Sequence, residues 1–182
     1  MCMFFQLSRS LVLICKLLIH SRTTKPVVFV SARVHPGEAP SSYILHGLIQ
    51  YLRQPRNRQA AMLLKKFTFM IVPMINPDGV YRGYFRLDIN SNNLNRVYGS
   101  PQAHREPAVY AIRALLRQLD SDKRLFFYLD LHAHATRQGC FLFGNSLELS
   151  KQVENVLFAR LMQANSPHFD FSNSIFTEKN MT

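Results

Sequence analysis

Three short apolar runs limit how this chain can fold. They are VVFVS at residues 27–31, FTFMIV at residues 67–72 and LFFYLDL at residues 125–131. Runs of this length and apolarity suit strands buried on both faces of a sheet. The segments between them have helical spacing. Residues 40–52 carry Pro40 in the first turn, where its missing N–H costs nothing. Residues 106–119 place Ala, Leu and Arg at suitable intervals. A fourth strand is expected over residues 140–143, and an amphipathic helix over residues 147–162 with Glu148 in its first turn. Strands alternating with helices predict an α/β fold with a mixed, largely parallel sheet and flanking helices. Residues 76–98 form a long polar stretch rich in Asn, Gly and Arg, of the kind that carries function when it is ordered.

At 182 residues and 47% apolar, the chain can bury one ordinary core and is too apolar for disorder. Lys and Arg number 22 against 11 Asp and Glu, a net charge of +11 that favours acidic partners. Nucleic acid is not the expected one: there is no zinc finger, no aromatic RNP-like box and no long basic run. Cysteines 2, 15 and 140 form neither a metal motif nor a disulfide framework, which points to free thiols and a cytoplasmic location. Near the N-terminus, Lys16 interrupts an apolar stretch too short to span a bilayer, and no small-residue cleavage site follows it. No membrane partner is expected.

The chemistry gathers at strand ends. His35-Pro36-Gly37-Glu38 follows the first run, and a tight turn at Gly37 could bring the imidazole and the carboxylate onto one ion. Asp130-Leu131-His132-Ala133-His134 closes the third run, at the strand end where open α/β sheets bind ligands. Pro73-Met74-Ile75-Asn76-Pro77-Asp78-Gly79 follows the second run and reads as a turn that shapes a site wall. In Asn92-Asn93-Leu94-Asn95-Arg96, the guanidinium of Arg96 could grip a carboxylate, with Asn95 adding hydrogen bonds. Arg82 and Arg86 lie in the same loop. Each motif alone also has a plain structural reading, as a surface histidine, a helix start or a solvated arginine.

In this order, His-Pro-Gly-Glu, Asn-Pro-Asp-Gly, Leu-Asn-Arg and Asp-Leu-His-Ala-His resemble the zinc metallocarboxypeptidases, in particular their cytosolic branch. The resemblance covers residues 27–181, leaving 1–24 as a segment apart and 25–182 as a partial carboxypeptidase domain. It implies Zn2+ held by His35, Glu38 and His132, with His134 outside the ligand set. It implies that Asn95 and Arg96 hold the terminal carboxylate of a substrate and that Arg86 polarises the scissile carbonyl. It further implies removal of glutamate from polyglutamylated tails, such as those of tubulin. The family's N-terminal β-domain and catalytic glutamate have no counterpart here, so a C-terminally truncated, inactive fragment is expected. The alternative is a non-catalytic isoform that binds zinc or tubulin tails.

Overall fold

A computed structural model describes residues 2–7, 10–17 and 24–177. The segment 18–23, within the N-terminal stretch discussed above, and Glu178 with the residues after it lie outside the described residues. The chain divides into two compact units, Met1–Ala133 and His134–Thr182.

The first unit is built on a five-stranded sheet in the order β1-β2-β4-β3-β5. Its strands are β1 (Cys2–Leu7), β2 (Ser10–Leu17), β3 (Val27–Ala32), β4 (Thr68–Val72) and β5 (Leu125–Leu131). The three apolar runs become β3, β4 and β5, and β3 pairs in parallel with both others. The backbone of β1 and β2 forms an antiparallel hairpin that joins the sheet along β4. The sheet is therefore mixed, with its parallel part at the three runs.

The crossovers explain the layering. From β3 the chain reaches β4 through α1 (Ala39–Leu52) and α2 (Arg58–Lys66). From β4 it returns past β3 to β5 through α3 (Pro77–Tyr81), a 3-10 turn at Leu94–Arg96, and α4 (Pro107–Ser121). Two right-handed crossovers running in opposite directions put their helices on opposite faces. Val27 and Phe29 of β3 accordingly join Met70 and Val72 of β4 with Val109, Ile112 and Leu119 of α4. Val30 and Ala32 point the other way, packing with Ile71 and with Leu45 of α1. The alternation along β3 thus serves two cores, and Val27, Phe29 and Ala32 have no exposed surface.

In the second unit, α5 spans Leu149–Asn165. The strand expected over residues 140–143 does not form. Cys140 and Phe143 make single bridges, to Phe169 and Ile175, and no ladder forms there among the described residues; Gly139, just before them, turns the chain with a left-handed φ of 80°. Along α5, Ala159 is the buried residue, while Leu149, Val153, Leu157 and Leu161 are exposed, so the expected apolar face is not covered within this unit. The guanidinium of Arg160 lies 3.7 Å from the centre of the Phe171 ring, a cation–π contact that ties α5 to the segment after it. No described helix is long and apolar enough to cross a membrane.

Truncating Ile112 to Ala should open a cavity between α4 and the sheet and lower stability by about 2–5 kcal/mol. Tyr43→Ser, at a site 79% exposed, should change it by less than about 0.5 kcal/mol. Urea unfolding of both variants checks the contrast.

Candidate metal centre

The strand order makes β3 and β5 parallel neighbours, so their carboxyl ends lie side by side. Open α/β sheets bind ligands in a crevice beyond the carboxyl ends of their strands. His35 follows β3 and His132 follows β5, so both reach this crevice.

Local sequence shapes the approach. Arg33 adopts a left-handed φ of 57° and turns the chain out of β3. Its Nε and Nη2 donate to the Pro36 carbonyl at 3.1 and 2.8 Å, and Nη1 donates to Ser42 Oγ at 2.9 Å. Gly37 N–H donates to the Phe85 carbonyl at 2.8 Å. A Cβ at residue 37 would fall 2.6 Å from the Phe85 ring and 2.8 Å from its carbonyl oxygen, so only glycine fits. The turn delivers Glu38 to the start of α1, but its side chain makes no capping bond there.

Instead the Glu38 carboxylate spans the crevice. Oε1 lies 2.7 Å from His35 Nδ1, and Oε2 lies 3.0 Å from His132 Nδ1. Ala133 N–H donates to Oε2 at 3.0 Å. The donor atoms of His35, Glu38 and His132 all fall within 4.8 Å of one another, and these residues form a group that could hold a metal ion. Two imidazoles and a carboxylate are a donor set that zinc accepts in sites that leave a position open for water.

The far side of each ring is fixed as well. His132 Nε2 lies 2.8 Å from Asp130 Oδ2. Both nitrogens of His132 face carboxylates, which only accept; on the Glu38 side a metal at Nδ1 would take the place of a proton, while Nε2 keeps its proton toward Asp130. Asp130 is held by Ser31 Oγ, which donates to its Oδ1 at 2.6 Å. Ser31 and Asp130 are partners in the parallel register of β3 and β5, and the Tyr128 hydroxyl lies 3.2 Å from the same Oγ. Burial and the charge of Asp130 push the Tyr128 hydroxyl above its usual range, so it stays protonated. His35 Nε2 lies 3.0 Å from Asn93 Oδ1.

Burial works against a charge on His132, but the hydrogen bonds to Asp130 and Glu38 and their negative charge win, raising it to about 9. Burial likewise works against the Glu38 carboxylate. Hydrogen bonds with His132, His35 and the Ala133 N–H, and the charge on His132, outweigh it and hold Glu38 at about 2.

The other residues singled out on sequence lie as follows. Asn95 and Arg96 sit in the 3-10 turn capped by Asn93, with Arg96 exposed and its Nη1 donating to the Asn95 carbonyl at 3.2 Å. Arg86 is exposed and makes no hydrogen bond among the described residues. Asn76 is buried and donates to the carbonyls of Val34 and Leu87, holding the wall of the crevice. His134 belongs to the second unit, where its ring meets Phe141 and Phe143 edge-on, and it is not in the ligand group. Sequence reasoning gave no role to Ser31, Asn93 and Asp130. Asp130 stood two residues from a candidate ligand, which was the available signal.

Two histidines and a glutamate at the carboxyl ends of neighbouring parallel strands define a candidate metal centre in an α/β protein, and comparison with known proteins narrows the class. Residues 13–96 match the zinc carboxypeptidase family. It is 41% identical over 140 residues to cytosolic carboxypeptidase 6 of Caenorhabditis elegans, covering 76% of this chain and 30% of that protein. It is 30% identical over 243 residues to cytosolic carboxypeptidase-like protein 5 of Homo sapiens, covering 86% of this chain. The chain spans only 27% of that relative's length. A metallo-carboxypeptidase from Burkholderia cenocepacia superposes with a TM-score of 0.83 at 24% identity, over 98% of this chain and 49% of that one, and shares the fold.

The two titrating ligands set a pH dependence for the metal-free chain. His132 is raised above its ordinary 6.5, so its contribution to stability is complete below 6.5 and is lost as pH rises through about 9. Glu38 is lowered from 4.5, so its contribution is complete above 4.5 and is lost as pH falls through about 2. Between about pH 7 and about pH 9.5 the urea midpoint should therefore fall, and His132→Asn should flatten that slope. An unchanged slope in the variant would show that the proton is held elsewhere.

Proposed function

We propose that this chain carries the zinc-binding and carboxylate-binding parts of a cytoplasmic metallocarboxypeptidase that removes glutamate from glutamylated polypeptide tails. The observation that carries the reading is the convergence of His35, Glu38 and His132 at the β3–β5 crevice, with the Asn93-capped turn bound to one of those histidines. The names of the relatives, cytosolic carboxypeptidases, supply the reaction class and compartment.

In this reading His35 Nδ1, His132 Nδ1 and a Glu38 oxygen hold the metal. Zinc, when bound, acidifies its water and polarises a carbonyl. Arg96 receives the terminal carboxylate of the substrate, with Asn95 adding hydrogen bonds, so cleavage is confined to the last residue. Arg86, with no acidic partner among the described residues, is free to face the scissile carbonyl and to stabilise the negative charge that grows there. Glu38 is fully committed to the two histidines and Ala133 and does not serve as the base. The residue that takes the proton from water is a carboxylate other than Glu38.

The acidic substrate class rests on charge. Between Glu38 and Asp78 the chain has no acidic residue, yet it carries Arg53, Arg56, Arg58, Lys65 and Lys66. None of these has a carboxylate partner among the described residues. A tubulin tail modified with polyglutamate fits such a surface.

One zinc ion per purified chain is expected by elemental analysis. His35→Ala and His132→Ala should lose it, and His134→Ala should keep it. Equal metal in all would sink the ligand assignment. With zinc bound, Arg96→Ala should weaken binding of a glutamate-terminated peptide by roughly 1.5–3 kcal/mol, the worth of a charge-assisted bond, without loss of metal. An unchanged dissociation constant would remove Arg96 from the substrate site.

A further inference from the structure

The side-chain oxygen of Asn93 has two donors. Asn95 backbone N–H donates to Oδ1 at 3.1 Å, which caps the 3-10 turn Leu94–Arg96. His35 Nε2 meets the same Oδ1 at 3.0 Å. A backbone N–H can only donate, so the atom it faces is the amide oxygen rather than the amide nitrogen. That settles the orientation of the amide, so Nε2 of His35 brings the proton to it, and Nδ1, 2.7 Å from Glu38 Oε1, is the nitrogen at which a metal would take the place of a proton.

We propose that Asn93 is a positioning residue that couples the two parts of the site, setting the tautomer and tilt of His35 and, through the same atom, the turn that presents Asn95 and Arg96. The coupling rests on the reading of Arg96 as the carboxylate-binding residue. The two histidine ligands then differ in their support. His132 leans on the charged Asp130, which is anchored across the sheet by Ser31. His35 leans on a neutral amide in a loop.

That loop is built to stay in place. Asp88 is buried, and its Oδ1 accepts from the N–H groups of Asn90 and Asn92 at 2.9 and 2.7 Å. Asp88 N–H donates to the Asn92 carbonyl at 2.9 Å. Glu106, also buried, receives the Gln102 N–H at 2.9 Å and Asn92 Nδ2 at 3.4 Å. Asn92 is thus held from several directions, and Asn93 follows it directly. Leu94 is 4% exposed and sinks into the α4 core on the other side of Asn93. A movement of the turn that carries Arg96 would pull on Asn93, and Asn93 would pull on His35. The same tie works in reverse, so a bound metal that fixes His35 also fixes the turn.

Three substitutions separate the two jobs of the oxygen. Asn93→Ala removes both. Asn93→Ser keeps a short cap for Asn95 N–H but cannot reach His35. Asn93→Asp keeps an acceptor for both donors. Zinc affinity is measured by competition with a chelating dye, the cobalt-loaded visible spectrum reports ligand geometry, and binding of a glutamate-terminated peptide is measured at saturating zinc. Asn93→Ala should lose roughly 10- to 100-fold in zinc affinity, the usual effect of removing a partner behind a metal ligand, and several-fold in peptide binding. Asn93→Ser should lose zinc affinity and keep peptide binding. Asn93→Asp should restore the zinc affinity and the cobalt spectrum. Zinc affinity within about twofold of the parent in Asn93→Ala or Asn93→Ser overturns the proposal, as does failure of a folded Asn93→Asp to recover it. Arg96→Ala serves as the reference: peptide binding equal to the parent there defeats the carboxylate reading and the coupling with it. A parent-like zinc affinity in the Asn93 variants defeats the coupling alone.

Discussion

The carboxylate of Glu38 is the contact on which the rest of the site depends. It joins the ends of two strands that lie far apart in sequence, by meeting His35 with one oxygen and His132 and Ala133 with the other. A carboxylate as far from water as Glu38, whose side chain is 13% exposed, is unfavourable without partners. Here the partners are also the groups that would share a cation with it, so the arrangement that makes the carboxylate tolerable in the protein is the one that prepares the crevice for a metal. The histidines lose their freedom in the same step, with each Nε2 tied to the protein behind it.

That contact is possible because of topology. The crossover through α1 leaves β3 toward β4, and the crossover through α4 comes back past β3 to β5. The carboxyl ends of β3 and β5 are adjacent because the two strands pair in parallel. The parallel register then sets Ser31 beside Asp130 and points both to the face that also carries His132. Core packing on both faces keeps the register from slipping, since a shift of one residue would turn Val27 and Phe29 into the wrong core.

Part of this was legible in the chain. Val27, Phe29, Ile71 and Leu129 belong to runs whose β-branched and aromatic content marks buried strands without reference to anything distant. The helices α1 and α4 follow from local spacing, and α2 had a local signal that went unread: Asn57 caps it by accepting from the N–H groups of Gln59 and Ala60. The hairpin β1–β2 was not read, because its pairing with β4 is a long-range fact that local composition does not carry. The stretch 76–98 was taken as irregular, yet Asn76 and Asn93 each cap a short turn within it. Residues 140–143 were read as a strand from their apolar content, and the structure allows only isolated bridges there.

By itself the sequence determined the chemical kinds available at the crevice: imidazoles at two strand ends, a glutamate at a helix start, and arginines in a polar loop. These are properties of residue type and local spacing, so a one-dimensional pattern can hold them. Only the tertiary structure decided which nitrogen of each ring faces Glu38, that Asp130 and Ser31 stand behind His132, and that Asn93 stands behind His35. Each of those pairings joins residues brought together by strand order, register or loop packing, and hydrogen-bond direction has meaning only once such partners are in place.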